Sequence, residues 1–234
     1  MSLPQIVSYE QWLAARTDLL EREKELTRAR DALSADRRRL PMVEITKDYR
    51  FTGPDGEVGL ADLFEGRRQL IVGHMMFDPE WEDGCPSCSA GVDEVAPGLL
   101  EHLAVRDTTL AYVSRAPLEK LERWKAVKGW DIAWYSSHGS DFNYDFGVTI
   151  DPARGPGEYN YRPLDMEGEF PGTSIFLRVG DAVFHTYSSF ARGAEWTGGS
   201  YAYLDLTPLG RQEDWEEPKG RAAAVREGRP DFTT

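Results

Sequence analysis

The sequence predicts an α/β fold with a largely parallel central sheet, and three observations carry that reading. Between Leu70 and Trp134, short apolar or alternating runs suited to strands take turns with longer segments whose apolar residues recur every three to four positions, as on one helix face. The length of 234 residues fits one large domain with an appendage better than two independent cores. The composition, 41% hydrophobic and 12% aromatic with 7 Trp, supplies a packed interior and excludes wholesale disorder.

The appendage comes first. Ser8 with Gln11 has the form of a capping box, and Trp12, Leu19, Leu26, Leu33 and Leu40 follow at a strict seven-residue spacing until Pro41 stops the pattern. The companion seam positions are Ala15, Arg22, Ala29 and Asp36, so only half of a coiled-coil seam is present. One continuous helix over 8–40 is expected, roughly 48 Å long at 1.5 Å per residue, with its Trp12–Leu33 edge buried on its own domain or across a homodimer. The division of the chain that follows is an N-terminal helical arm over 1–41, an α/β domain over 42–210 and a polar C-terminal tail over 211–234.

The domain opens with turns and short strands. Tyr49 and Phe51 alternate with polar residues, Gly53-Pro54-Asp55-Gly56 has turn chemistry, and Leu60 to Phe64 leads through Gly66 to a buried strand over 70–77. A loop with Asp78, Glu80, Glu82 and Asp83 then enters Cys85-Pro86-Ser87-Cys88, where a helix begins; Val92, Val95, Ala96, Leu99, Leu100 and Leu103 form its apolar face and Pro97 predicts a kink. Next come a strand over 108–113, a helix opened by Pro117 with Leu118, Leu121, Trp124 and Val127 inward, and an alternating strand from Trp130 to Trp134. Residues 149–170 read as an irregular insertion, and Ser174–Leu177 with Ala182–Tyr187 as a hairpin around Gly180-Asp181.

Charge narrows the partners. Residues 1–48 hold 9 Lys/Arg and 9 Asp/Glu, so the net charge of −13 falls entirely on residues 49–234, and such a body repels a phosphate backbone. Nucleic acid is therefore not an expected partner. No apolar run approaches the roughly 20 residues of a membrane span, and the N-terminus shows neither a basic nor an apolar leader region, so no membrane is expected and the cytoplasm is the expected location.

Cys85 and Cys88 are the only cysteines. At a helix N-terminus, free backbone N–H groups and the helix dipole favour a thiolate, which makes Cys85 the expected nucleophile; Cys88, one turn on, is placed to attack a mixed disulfide on Cys85. Pro86 suits the first helical turn. Three other readings stay open. A metal site would need two further ligands from His74, His102, His138 and His185. A structural disulfide across so short a loop contributes little stability. A peroxidase pattern with a hydroxyl three residues before the attacking Cys meets Glu82 before Cys85 and Cys85 before Cys88. Asp78 and His74 are the possible proton acceptors, and neither a metal nor a cofactor is expected.

The order Gly-Pro-Asp-Gly, Leu-Ala-Asp-Leu, apolar strand, C-x-x-C and helix resembles the thioredoxin-like superfamily, in particular its branch with an extra N-terminal hairpin. More specifically, the chain resembles the bacterial thioredoxin-like proteins grouped as domain of unknown function family 899. The stretches from Glu21 to Arg30, Asp83 to Ser89, Ser114 to Leu118, Gly139 to Gly147 and Phe184 to Ser188 carry that likeness. It implies a thioredoxin-like three-layer fold with an N-terminal hairpin extension and a long N-terminal helix, with the cysteine pair as active site. It implies no substrate. Where thioredoxins place a proline just before the strand facing the cysteines, this chain has Thr173-Ser174-Ile175, with Pro171 earlier.

The expected activity is thiol–disulfide exchange with a thiol or disulfide substrate or reductant. The alternative is a small-ligand-binding protein with a non-catalytic cysteine pair, its pocket lined by Arg115, Asp141, Tyr144, His185 and Tyr187 beside the cysteines.

Overall fold

The computed structural model describes residues 4–197 and Gly199; the tail expected over 211–234 lies outside the described residues. Those residues fall into two units, 4–41 and 42–199.

The first unit is one helix, α1 (Tyr9–Arg37). The capping box is formed: Ser8 Oγ accepts from the Gln11 N–H at 3.3 Å, and Gln11 Oε1 accepts from the Ser8 N–H at 3.1 Å. The helix ends three residues short of Leu40, because Pro41 disfavours helical backbone in the residue before it; Arg39 and Leu40 turn back onto the Asp36 and Arg37 carbonyls. No residue of α1 is buried, and Trp12, Leu26 and Leu33 are each 51% exposed. Among the described residues, the edge expected to be covered is exposed. Arg22 and Asp36 at the companion positions interrupt the apolar edge, and Arg16–Glu23 and Lys24–Glu21 form ion pairs on the helix surface.

The second unit carries the strands β1 (Val43–Glu44), β2 (Arg50–Gly53), β3 (Gly56–Gly59), β4 (Gln69–His74), β5 (Thr108–Ser114), β6 (Ala133–Ser136), β7 (Thr149–Ile150), β8 (Glu158–Tyr159), β9 (Arg162–Pro163), β10 (Gly168–Glu169), β11 (Gly172–Val179) and β12 (Ala182–Phe190). Its helices are α2 (Pro86–Asp93), α3 (Pro97–Ala104), α4 (Leu118–Lys128) and α5 (Phe142–Asp145). The main sheet runs β1-β12-β11-β4-β5-β6-β2-β3. Of the neighbouring pairs only β4–β5 and β5–β6 are parallel, so the sheet is mixed rather than largely parallel. β11 lies antiparallel to β4 and β12 antiparallel to β11, which with the β4–helix–β5 crossover is the thioredoxin-like topology. The β2–β3 hairpin beside β6 is the N-terminal extension.

Successive side chains of a strand face opposite sides, and the core divides accordingly. Leu70, Val72, Ala111, Val113 and Phe176 point to one side, where Leu63, Phe64 and the α5 residue Phe142 cover them. Trp134 and Tyr112 point to the other, among Met75, Phe77, Val92 and Leu121 from the loop after β4 and from α2 and α4. Several boundaries differ from the sequence reading. The strand expected over 70–77 leaves the ladder after His74 because Met75 and Phe77 cross to the tryptophan side. Pro97 breaks the helix instead of kinking it, with Ala96 extended at ψ 147°. Trp130 caps α4, its N–H on the Lys125 carbonyl and its indole on Asp93, so β6 starts only at Ala133. Val127 is 46% exposed rather than inward. The insertion folds into two small pairings, β8–β9 and β7–β10.

Candidate functional site

The loop from Met75 to Gly84 delivers the cysteines. Lys120 of α4 donates to the Pro79 and Trp81 carbonyls at 2.9 and 2.7 Å, Arg123 donates to the Glu82 carbonyl, and the Cys85 N–H returns to the Met76 carbonyl at 3.0 Å. Gly84 is the residue that fits here, since a Cβ would stand 2.9 Å from both Met75 Cε and Trp124 Nε1. Cys85 is then the N-cap of α2, its carbonyl receiving the Ser89 N–H at 2.9 Å, with Pro86 in the first turn. Cys85 and Cys88 are half-buried thiols. Cys88 packs on the tryptophan cluster with Tyr112, whose ring lies over Gly73; burial, and then the charge of Cys88, push the Tyr112 phenol up to about 12.

Arg115, just past β5, gathers a second group. Its Nη2 pairs with Asp78 at 2.9 Å, its Nη1 donates to the Tyr144 hydroxyl, and its Nε lies 2.9 Å from Glu169. That last contact is an ion pair without hydrogen-bond alignment, because Nε has no hydrogen-bond partner. Glu169 also accepts from Thr149 Oγ1, yet burial outweighs Arg115 and pushes its carboxyl up to about 7. The Tyr144 ring is flanked by Arg115 at 5.0 Å and Arg154 at 3.8 Å, and Arg154 bonds Asp141 at 2.7 Å. Lys47 bridges Asp141 and Asp145 at 2.9 and 2.6 Å; Arg154 first, then Lys47, hold Asp141 below its ordinary value.

The third group is a row of side chains across β4, β11 and β12. His74 Nε2, Ser174 Oγ, Ser188 Oγ and His185 Nε2 follow one another at 2.8 Å each. His74 is buried, its Nδ1 has no partner, and burial drives it down to about 3; burial also lowers His185. Both imidazoles are thus neutral at ordinary pH.

The expected site residues therefore separate. Asp78, Arg115 and Tyr144 meet, and Asp141 joins them through Arg154. His74 stacks on Phe146 and His185 meets it edge to face, on the α5 side of the sheet, whereas Cys88 packs on the tryptophan side. A bulge between Ile175 and Phe176 pairs Tyr187 with Ile175 and His185 with Phe176, which turns these two side chains to opposite faces. Two adjoining cavities result. One of about 890 Å³ is bordered by Tyr49, Asp141, Tyr144, Phe146, Arg154 and His185, among others; one of about 220 Å³ lies against Arg115, Ser137, His138, Tyr144 and Arg154. Neither of these two is lined by Cys85, Cys88 or Tyr187, and the larger, bordered by Phe146 and His185, lies on the α5 side of the sheet. Among the described residues, no three of His, Cys, Asp and Glu converge as a metal set, and no helix is long and apolar enough to cross a membrane.

The family model described as Bacterial protein of unknown function (DUF899) matches residues 1–227. The chain belongs to this family. No curated protein matches it. Among solved structures this DUF899 protein is similar to Xanthomonas campestris peroxiredoxin Q at 13% identity, covering 67% of this chain and 90% of that one with a TM-score of 0.47. The peroxidoxin BcpB of Mycobacterium tuberculosis aligns at 14% identity over 68% of this chain and 92% of its own, TM-score 0.45. A yeast mitochondrial 1-Cys peroxiredoxin aligns at 14% identity over 68% and 73%, TM-score 0.40. Likenesses of this size carry no chemistry from those proteins to this one.

Sequence reasoning missed Glu169, Ser174, Ser188, Lys47 and Arg154. A serine at an inward strand position, as at Ser174 two before Phe176, is the one signal that was available. In thioredoxin-like terms the proline is also closer than expected: β11 starts at Gly172, directly after Pro171 and opposite His74.

Proposed function

We propose that this protein is a thiol–disulfide oxidoreductase acting through Cys85 and Cys88 in the cytoplasm. The observation that carries the reading is Cys85 at the N-cap of an eight-residue helix, half-exposed, with Cys88 one turn behind it. The Cys85 thiolate attacks one sulfur of a substrate disulfide, forming a mixed disulfide and releasing the first substrate thiolate. The Cys88 thiolate then attacks the Cys85 sulfur, closing the Cys85–Cys88 disulfide and releasing the second. Two electrons pass to the substrate, and a thiol reductant restores the pair. Of the two expected proton acceptors, His74 belongs to the opposite face and Asp78 is engaged by Arg115 and the Glu80 N–H, so the Cys88 proton passes to solvent.

Redox titration with thiol trapping and mass spectrometry tests this. One two-electron transition is expected, with Cys85 alkylating faster than Cys88; Cys85→Ser abolishes exchange with a small disulfide and Cys88→Ser accumulates the mixed disulfide. Equal, slow labelling with no disulfide at any potential would favour the second reading, a ligand-binding protein with a non-catalytic cysteine pair, which the 890 Å³ cavity supports. For α1 the proposed partner is a second copy of this chain, whose matching strip would cover Trp12, Leu19, Leu26 and Leu33.

A further inference from the structure

We infer that the larger cavity, on the face away from Cys88, binds a small organic cation, an ammonium group carried on an apolar body. The inference is independent of the redox reading. A volume of about 890 Å³ is that of a small-molecule site. Aromatic rings of Tyr49, Tyr144, Phe146, Tyr161 and Phe190 form much of its wall, and ring faces attract cations.

Charge selects the sign of the ligand. Among the described residues, the carboxylates of Asp141, Asp145, Asp151 and Glu158 line the cavity against one guanidinium, that of Arg154. Lys47 and Arg154 offset Asp141 and Asp145. Among the described residues Asp151 and Glu158 have no ion pair, which leaves two negative charges in excess at the cavity. Arg154 is no anchor for an anion, being bonded to Asp141 and laid on the Tyr144 ring. His185, held neutral by burial, adds no positive charge.

The floor supports a site rather than a packing interior. Leu70, Val72 and Phe176 fill the same face apolarly, yet the chain spends four polar side chains on the His74–Ser174–Ser188–His185 row and leaves His74 Nδ1 unpaired in the core. A buried polar group left unpaired is destabilising, so an interior serving only packing would gain from apolar replacements. The row ends at His185 and Ser188, both on the cavity wall.

Isothermal titration of the full chain with benzyltrimethylammonium chloride at low salt, and with sodium phenylacetate as the anion of similar size, tests the inference. Saturable one-to-one binding of the ammonium ion and none of phenylacetate is expected. The charge-only variants Asp151→Asn and Glu158→Gln should each weaken binding about threefold, in line with exposed charge pairs, and together about tenfold. Glu158 is exposed and Asp151 half-buried, and Asn can keep the cap that Asp151 gives the Ala153 N–H, so the melting temperature should not move. Cys85→Ser should bind as the parent does, which separates this site from the redox reading. No saturable binding at millimolar ammonium, equal binding of phenylacetate, or undiminished affinity in the double variant would each overturn the inference.

Discussion

The two faces of the central sheet are built on opposite plans. Behind Cys88 the face is dry: Met75, Phe77, Leu121, Ile132 and Trp134 interlock, and its few polar atoms are satisfied locally, Ser114 Oγ bonding both the Met75 carbonyl and the Trp134 indole. The other face carries a polar row through its core and opens into a cavity. A reactive sulfur needs rigid backing and access on one side only, which a close-packed apolar layer with a capping residue at its rim provides. A cavity needs rings and charges from distant parts of the chain held apart, and that requires register across several strands.

The largest effect that sharpens this contrast is Phe142→Ala. Phe142 is fully buried and its ring meets those of Tyr49, Phe51, His74, Phe146 and Phe176. Its truncation should cost about 3–5 kcal/mol in urea unfolding. The Cys85-to-Cys88 alkylation ratio of the folded variant should stay at the parent value, because the tryptophan side is untouched. A changed ratio would show that the faces are coupled.

Acid titration separates the faces differently. The folded-state value of His74 is about 3 against an ordinary 6.5, so between these pH values the unfolded chain binds a proton that the folded chain does not, and stability falls as pH falls. Glu169 is raised from 4.5 to about 7, so there the folded chain keeps a proton that the unfolded chain releases, and stability falls as pH rises. From pH 4.5 to 6.5 the two slopes oppose each other, each about 1.4 kcal/mol per pH unit. Wild-type urea midpoints should change less across that window than those of Glu169→Gln, which should lose stability on acidification as His74 first, then His185, resist protonation in the fold. A flat profile in the variant would mean that His74 is not held neutral by the fold.

What could be read in advance follows the same division. The thioredoxin-like fold, the capping box and the cysteine geometry depend on residues within a few positions of one another, as Cys85, Pro86 and Cys88 do. The polar row depends on the β11–β12 register, and a single bulge decides that His185 rather than Tyr187 shares a face with Ser174. Nothing in Phe184-His185-Thr186-Tyr187-Ser188 announces that bulge. Glu169 was hidden by its setting, an acidic Gly- and Pro-rich stretch in which a buried carboxylate looks like its exposed neighbours.

On the cysteine face, Gly73→Ala is the intermediate test. A Cβ there would stand 2.6 Å from the Tyr112 ring, whose carbons cannot yield without disturbing the cluster around Cys88. A loss of about 1–3 kcal/mol is expected, as for other overpacked cores, with faster alkylation of Cys88 as its cover loosens. Unchanged labelling would show that Tyr112 does not shield that thiol.

The smallest effect on the folded domain comes from α1, none of whose residues is buried. Leu26 is 51% exposed within one chain, so Leu26→Asp should shift the unfolding free energy of the sheet domain by no more than about 0.5 kcal/mol. Its effect should appear in mass instead. The strip recurs every seven residues, and across a two-helix interface each Asp would put a charge in place of an apolar contact with the strip of the other copy. Light scattering at tens of micromolar should show the parent as a dimer and Leu26→Asp as a monomer. Equal masses for the two would leave the strip solvated and remove the second copy as its partner.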